Sequence, residues 1–451
     1  LAGQTFWHPL PSPAANGNSI NEQLRAAVIG NGFRGKYLIG NLPPAIRVTA
    51  ISDCMESRMF HTLEPQGDFR EVLNRFASAD AMRCKMYQDY RELLDKHPLD
   101  AVIIATPDHH HVQAALLALE RGLDVYLEKP MTLTIKEGRI LADAVKATGK
   151  VLQVGSQQRT MEMNRFACEF IRGGGLGTIS RVELPNYPGP LAQMELPAEP
   201  VPFGLNWNLL CGPAPLRPYN RKLWVKDEFK VGNLLWRGWD LFRDYSGHMM
   251  TNWGAHSVDM VQYALGMDDT GPVEIQAFPL NEPLEQVADN WGDKTPIPTA
   301  LDERRFWPVR MKYASGVEVR FVGGKRPIRF YGERGVLKMS RNKFETEPAG
   351  LITGGPAPEV AEKWNGAGHV ARPHLENWVE CIGTRKMPNA PVEVGHRSVT
   401  VCHLANLARE LHRPLKWDPV KETFVGDAEA NRKLERPRRE GFHLPVVTRA
   451  R

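Results

Sequence analysis

Cysteine is scarce and scattered: Cys54, Cys84, Cys168, Cys211, Cys381 and Cys402 are the six in 451 residues. None forms a CxxC pair, which argues against a zinc site or a dithiol redox motif; free or buried thiols are expected. Long apolar runs are missing too. No stretch reaches the roughly 18 residues a spanning helix needs, so no membrane span is expected. Charge of one sign is not in excess, since 57 basic and 52 acidic residues leave only +5. A surplus that small, spread along the chain, argues against nucleic acid as the main partner. Internal repeats and strongly low-complexity tracts are also absent.

What remains is ordinary for a soluble globular chain, with 42% hydrophobic and 24% charged residues. The length allows two or three domains and a large core. The chain begins at Leu1, not Met. Residues 1–22 are rich in Pro, Gly and Asn, lack helical periodicity and read as an extended arm. Such an arm suits either a trimmed start or a removed export signal.

From residue 23 to 160, short apolar runs alternate with helical patterns. Strands are expected at 24–29, 46–53, 100–107, 124–130 and from 151, with a helical insertion over 61–81. That alternation predicts an α/β domain with a doubly wound parallel sheet. Over 161–415 the pattern changes to long Pro-, Trp- and Asn-rich loops at 188–235, a helix around 248–265, and antiparallel-looking strands with hairpin turns at "ASG" and "GERG". This predicts an α+β domain with an open, mostly antiparallel sheet, closed by helices at 371–384 and 395–411. Residues 416–451 read as a polar tail.

Gly30-Asn31-Gly32-Phe33-Arg34-Gly35 fits G-x-G-x-x-G between a predicted strand and a predicted helix. The first glycine permits the tight turn, the second lets backbone approach a pyrophosphate, and the third allows close helix–strand packing. Asp53 ends the next strand, where a carboxylate accepts from ribose hydroxyls and repels a 2′-phosphate. NAD is therefore expected over NADP, with Arg58 as the one contrary feature. "ATPDHHH" (105–111) lies at another strand's carboxyl end. Its three consecutive histidines do not suggest a metal, because consecutive helical residues point about 100° apart. "YLEKPMTL" (126–133) puts Glu128 and Lys129 at a strand end, where a Lys beside a positive nicotinamide would have a lowered pKa suited to proton transfer. In "TNWGAHSVDM" (251–260), helical spacing puts Asn252, His256 and Asp259 on one face.

Taken together, the glycine turn, Ala105–Pro107, Glu128–Pro130 and Asn252–His256 resemble the Gfo/Idh/MocA oxidoreductases (glucose–fructose oxidoreductase, inositol dehydrogenase and relatives). "GSQQR", "WNLLCGPAPLRPYN" and "GHRSVTVCHLANLARELHRPLKWD" extend the likeness over nearly the whole chain. They are most similar to a bacterial branch that often carries twin-arginine export signals, which favours a periplasmic over a cytoplasmic location.

The resemblance implies NAD as cofactor, no metal, and a homodimer or homotetramer using the open sheet. It implies that Lys129 and His256 flank the reacting carbon. The implied cofactor contacts are Gly30, Asn31, Gly32, Phe33, Arg34, Asp53, Thr106, Pro107, His109, His111, Glu128, Lys129 and Gln157. Substrate contacts are expected from Lys129, Arg159, Asp244, Tyr245, Asn252 and His256, with Trp236, Trp239 and Trp253 as weaker stacking candidates.

The family places an aspartate where this chain has Asn252. An amide orients a hydroxyl but supplies no charge to an imidazolium, which leaves Asp259 as the candidate partner of His256. Three functions follow as expectations. The first is hydride transfer between NAD and a secondary alcohol of a sugar or cyclitol. The second is glycoside cleavage through transient oxidation and elimination. The third is a non-catalytic, NAD-holding sensor or binding protein.

Overall fold

Apolar runs at the start of the chain become a six-stranded parallel sheet: β1 (Leu24–Ile29), β2 (Ile46–Ser52), β3 (Lys85–Tyr87), β4 (Ala101–Ile104), β5 (Asp124–Leu127) and β6 (Leu152–Val154), in the order β3-β2-β1-β4-β5-β6. The computed structural model describes residues 23–192, 195–223, 238–282, 303–324, 326–364 and 370–448. The arm over 1–22, with the export expectation attached to it, and Trp236 lie outside the described residues.

Both faces of this sheet are covered, which is why its strands read as continuous apolar runs. Ala27, Ile29, Val102, Ile104, Val125 and Leu127 pack on one side against Ala115, Leu116 and Leu119. Ala26, Val28, Ile103 and Tyr126 pack on the other against Leu38, Leu375 and Trp378. The last two come from the helix Arg372–Thr384. A segment expected to belong with the second half of the chain thus returns to cover the first sheet.

The second sheet has nine strands: β7 (Ile179–Pro185), β8 (Pro272–Ala277), β9 (Val309–Tyr313), β10 (Glu318–Val322), β11 (Ile328–Gly332), β12 (Gly335–Ser340), β13 (Lys343–Glu347), β14 (Leu415–Asp418) and β15 (Thr423–Phe424). Their order is β13-β12-β11-β7-β10-β9-β8-β14-β15. Only β7 with β10 is parallel; the other pairs are antiparallel. The supposed tail from 416 in fact starts inside β14. Leu415 and Trp417 turn into the core while Lys416 faces out, an alternation too short to read alone.

The helix His248–Leu265 lies between this sheet's core and the first sheet's carboxyl edge, and it ends at Gly266 in the left-handed conformation (φ 68°). Met249, Met250, Val258, Met260 and Val261 bury in the second core. Asn252 and His256, on another face, are left for the neighbouring strand ends.

Candidate active site

The glycine turn is built by backbone crowding. Gly30 has φ +92°, and a Cβ there would stand 2.5 Å from the Ala105 carbonyl oxygen. A Cβ on Gly35 would stand 2.0 Å from Gly30 O, so the helix Phe33–Asn41 seats against the turn only with glycine at that place. Asn31 is fully buried, and its side-chain amide donates to Ser52 O at 2.9 Å. Asp53 accepts from the backbone N–H of Asn31 (2.7 Å) and of Met55 (2.9 Å), which fixes the carboxylate at the mouth of the turn. Gly30, Asp53, Arg58, Thr106, Pro107 and His110 line a cleft whose opposite wall is Leu209 and Leu210.

That wall belongs to a crossing segment. Asn206 N donates to Cys54 O at 2.9 Å, and Glu56 N donates to Gly204 O at 3.0 Å. His109 and His110 place their Nε2 atoms 2.8 and 3.1 Å from the same Leu210 carbonyl. His111 puts Nδ1 2.7 Å from Pro130 O and Nε2 2.9 Å from Thr106 O, tying together the two loops that carry the chemistry. Backbone carbonyls thus occupy all three rings. Among the described residues no cluster of three His, Cys, Asp or Glu is arranged for a metal ion.

Several buried polar atoms at these strand ends have no hydrogen-bond partner among the described residues: Asn31 Oδ1, Thr106 Oγ1, His109 Nδ1, Gln157 Oε1 and His256 Nδ1. Each such atom costs about 1–3 kcal/mol unless a ligand or water answers it. A polar dinucleotide lying along the carboxyl edge, with an alcohol at its far end, suits this donor and acceptor set, as does the crowded glycine cradle.

Arg34 Nε donates to Glu128 Oε1 at 2.7 Å, and Gly155 leaves the room that Glu128 needs. Next in sequence, Lys129 is half-buried. Burial pushes its ammonium down to about 8; Arg34 and Arg341 press the same way, while Glu128 and Asp108 resist. Its Nζ donates to Asn252 Oδ1 at 2.6 Å. Asp108, from the histidine run, is buried and pushed up to about 7 while accepting from Ser246 Oγ at 2.6 Å. His256 is held neutral, well below its ordinary value, by burial and then by the nearby charges of Lys129, Arg341 and Arg34.

Asp259 does not serve His256. Its carboxylate accepts from Arg159 Nε at 2.9 Å and from Ser398 Oγ at 2.8 Å. Arg159 is 5% exposed and also pairs with Asp268 at 2.7 Å. Both are therefore committed to a buried ion pair behind the site, and the expected substrate contact from Arg159 is not made available. One helical turn past His256, the helix has already rotated Asp259 toward that arginine.

Asp244 pairs with Arg217 at 2.6 Å. Tyr245 is buried with its hydroxyl 4.0 Å from Cys211 Sγ and its ring 5.0 Å from that of His109. They build a side wall instead of pointing at Lys129. Trp239 packs on the same apolar cluster. Trp253 is 39% exposed, with its ring 6.3 Å from that of His256. Arg341, absent from the sequence reading, lies over Trp253 at 5.1 Å. No motif announces it, because it sits in a polar hairpin turn far along the chain.

Residues 24–156 match the NAD-binding Rossmann fold of the Gfo/Idh/MocA oxidoreductase family, and residues 190–292 with 356–444 match that family's C-terminal α/β domain. Scyllo-inositol 2-dehydrogenase (NAD(+)) of Bacillus subtilis is 31% identical over 143 residues, 31% of this chain and 37% of that one. Levoglucosan dehydrogenase of Pseudarthrobacter phenanthrenivorans is 29% identical over 165 residues, 35% of this chain and 39% of that one. These matches span little more than a third of the relatives' lengths. The WlbA dehydrogenase of Bordetella pertussis, solved with NADH and UDP-GlcNAcA, superposes with a TM-score of 0.58 at 15% identity, covering 88% of this chain and 99% of that one. That likeness shows a shared fold. With both family domains matched in order, the chain belongs to the Gfo/Idh/MocA oxidoreductases.

Proposed function

We propose that the protein is an NAD-dependent oxidoreductase acting on a secondary alcohol of a sugar or cyclitol. The observation that carries this reading is the pairing of Lys129, lowered to about 8 by burial, with a neutral His256 beside the carboxyl edge of the first sheet. A general base works best with a pKa near the operating pH. Lys129, as the amine, accepts the hydroxyl proton at Nζ. His256, neutral and with Nδ1 unpartnered among the described residues, accepts from a neighbouring substrate hydroxyl and so orients the sugar. Asn252 Oδ1 holds Nζ in place without adding charge. Bound NAD would supply the hydride acceptor through which the carbinol carbon becomes a carbonyl.

A second reading keeps the site but changes the net reaction to glycoside elimination through transient oxidation. The segment from Gly204 to Leu210, bonded across the ribose end of the cleft, favours a retained cofactor and so supports it. The test is to supply NAD-loaded protein with free sugars, cyclitols and aryl glycosides, recording NADH absorbance and released aglycone. NADH formed from free sugars supports the first reading. Aglycone release without net NADH supports the second. Bound NAD with neither signal rejects both and leaves a sensor or binding protein.

A further inference from the structure

Arg341 sits in the turn between β12 and β13, and that turn is anchored to the other end of the site. Asn342 adopts the left-handed conformation (φ 53°), and its N–H donates to Asn164 Oδ1 at 2.5 Å. Asn164 is 1% exposed and donates in turn to Gln158 Oε1 at 3.2 Å, in the turn that follows β6. The hairpin is thereby fixed beside Gln157 and the cofactor edge. The guanidinium lies 5.1 Å over the Trp253 ring, a cation–π contact.

The charges around Arg341 are one-sided. Its charge reaches both Lys129 and His256. Arg341 is half-buried, and burial and then the Arg34 charge both weigh against its cation. Glu128 is engaged by Arg34 at 2.7 Å. The helical position nearest Lys129 carries the amide of Asn252, not an acid. Glu128 and Asp108 answer Lys129 and Arg34, whereas the half-buried Arg341 guanidinium is costly to desolvate unless a ligand brings an anion to it.

We propose that the substrate is an anionic sugar derivative whose carboxylate or phosphate pairs with the Arg341 guanidinium. A planar guanidinium takes either group through two parallel N–H···O bonds. Trp253 braces the guanidinium from below and presents its remaining surface to the sugar. Arg341 then fixes which end of the substrate faces away from Lys129, and so which carbon is oxidised. This inference rests on the alcohol-oxidation reading above for its turnover arm, but not for its binding arm.

The test compares glucose, glucuronate and glucose 6-phosphate, and galactose with galacturonate, on NAD-saturated protein. Calorimetric binding and initial rates of NADH formation are measured for each. At least one acidic partner is expected to bind and react at least tenfold better than its neutral counterpart. Carboxylate and phosphate members identify which anion is used. Arg341→Gln is expected to remove that preference, chiefly through KM, while Arg341→Lys retains part of it. NAD titration of both variants reports an intact fold. Equal binding of acid and neutral partners overturns the proposal, and so does an acid preference that survives in Arg341→Gln. Arg341-dependent binding of the acid without NADH would uphold the anion anchor while rejecting the oxidation reading.

Discussion

The Nζ of Lys129 and the Oδ1 of Asn252 stand 2.6 Å apart, so the residue that replaces the family's aspartate partners the lysine and not the histidine. An amide carbonyl accepts the ammonium's hydrogen bond but does not stabilise its charge as a carboxylate would. Burial and the neighbouring arginines therefore lower Lys129 with little opposition from the helix.

Asn252→Asp should raise the Lys129 pKa above about 8. The base form of Lys129 is the active one, so the rising limb of the kcat/KM pH profile should move to higher pH, by about 1 unit for one added charge at close range. An unmoved limb would disconnect Asn252 from the titrating group.

His256→Ala should lower turnover about a hundredfold, the scale on which misplacing the reacting group costs. NAD binding, followed by fluorescence quenching, should survive, because the glycine turn and Asp53 are built by other elements. Normal turnover in this variant would reduce His256 to packing.

Cofactor selection should follow Asp53. NAD is expected to bind at least tenfold more tightly than NADP, since a 2′-phosphate beside that carboxylate costs on the order of 1.4 kcal/mol or more. Titration with both dinucleotides checks this. Equal affinities would instead make Arg58, on the rim of the same cleft, the partner of the phosphate.

Asp259→Asn should destabilise the fold by about 3 kcal/mol, because it leaves the buried Arg159 with one carboxylate fewer. Urea unfolding measures the loss. The pH profile of turnover should keep its limbs; a shift would restore Asp259 as the partner of His256.

Acid should weaken the protein well above the range where carboxylates titrate. His110, His374 and His403 are buried and each is lowered to about 4 by that burial. The unfolded chain binds their protons near 6.5 and the folded chain does not, so stability declines as pH falls from 6.5 toward 4. The slope is roughly 1.4 kcal/mol per unit for each histidine. Unfolding midpoints at pH 7, 5.5 and 4.5 test this, and His403→Asn should flatten part of the fall.

The first sheet was legible because strands buried on both faces carry their signal in every residue, as "AAVI" and "AVII" do. The glycine turn was legible because steric crowding allows few alternatives. β3, with Lys85 and Met86 exposed on the sheet edge, and β13, the charged alternation Lys343–Glu347, carry almost no apolar signal and escaped notice. Sequence motifs mark Lys129, Asn252 and His256, and the structure brings Lys129 and Asn252 together beside the first sheet's carboxyl edge. Arg341 carries no motif, because only tertiary packing brings its hairpin over Trp253. Arg159 and Asp259 were misread for the reverse reason. Polar residues near a motif suggest chemistry, while only packing reveals that they are a buried pair.

The segment that crosses the ribose end of the cleft has a kinetic consequence. Its departure requires breaking the Asn206–Cys54 and Glu56–Gly204 bonds and releasing Asn208 and Gly212 from Arg439. NADH bound beneath it is expected to leave only when these bonds open, so its release should be slower than substrate release, which stopped-flow fluorescence would measure.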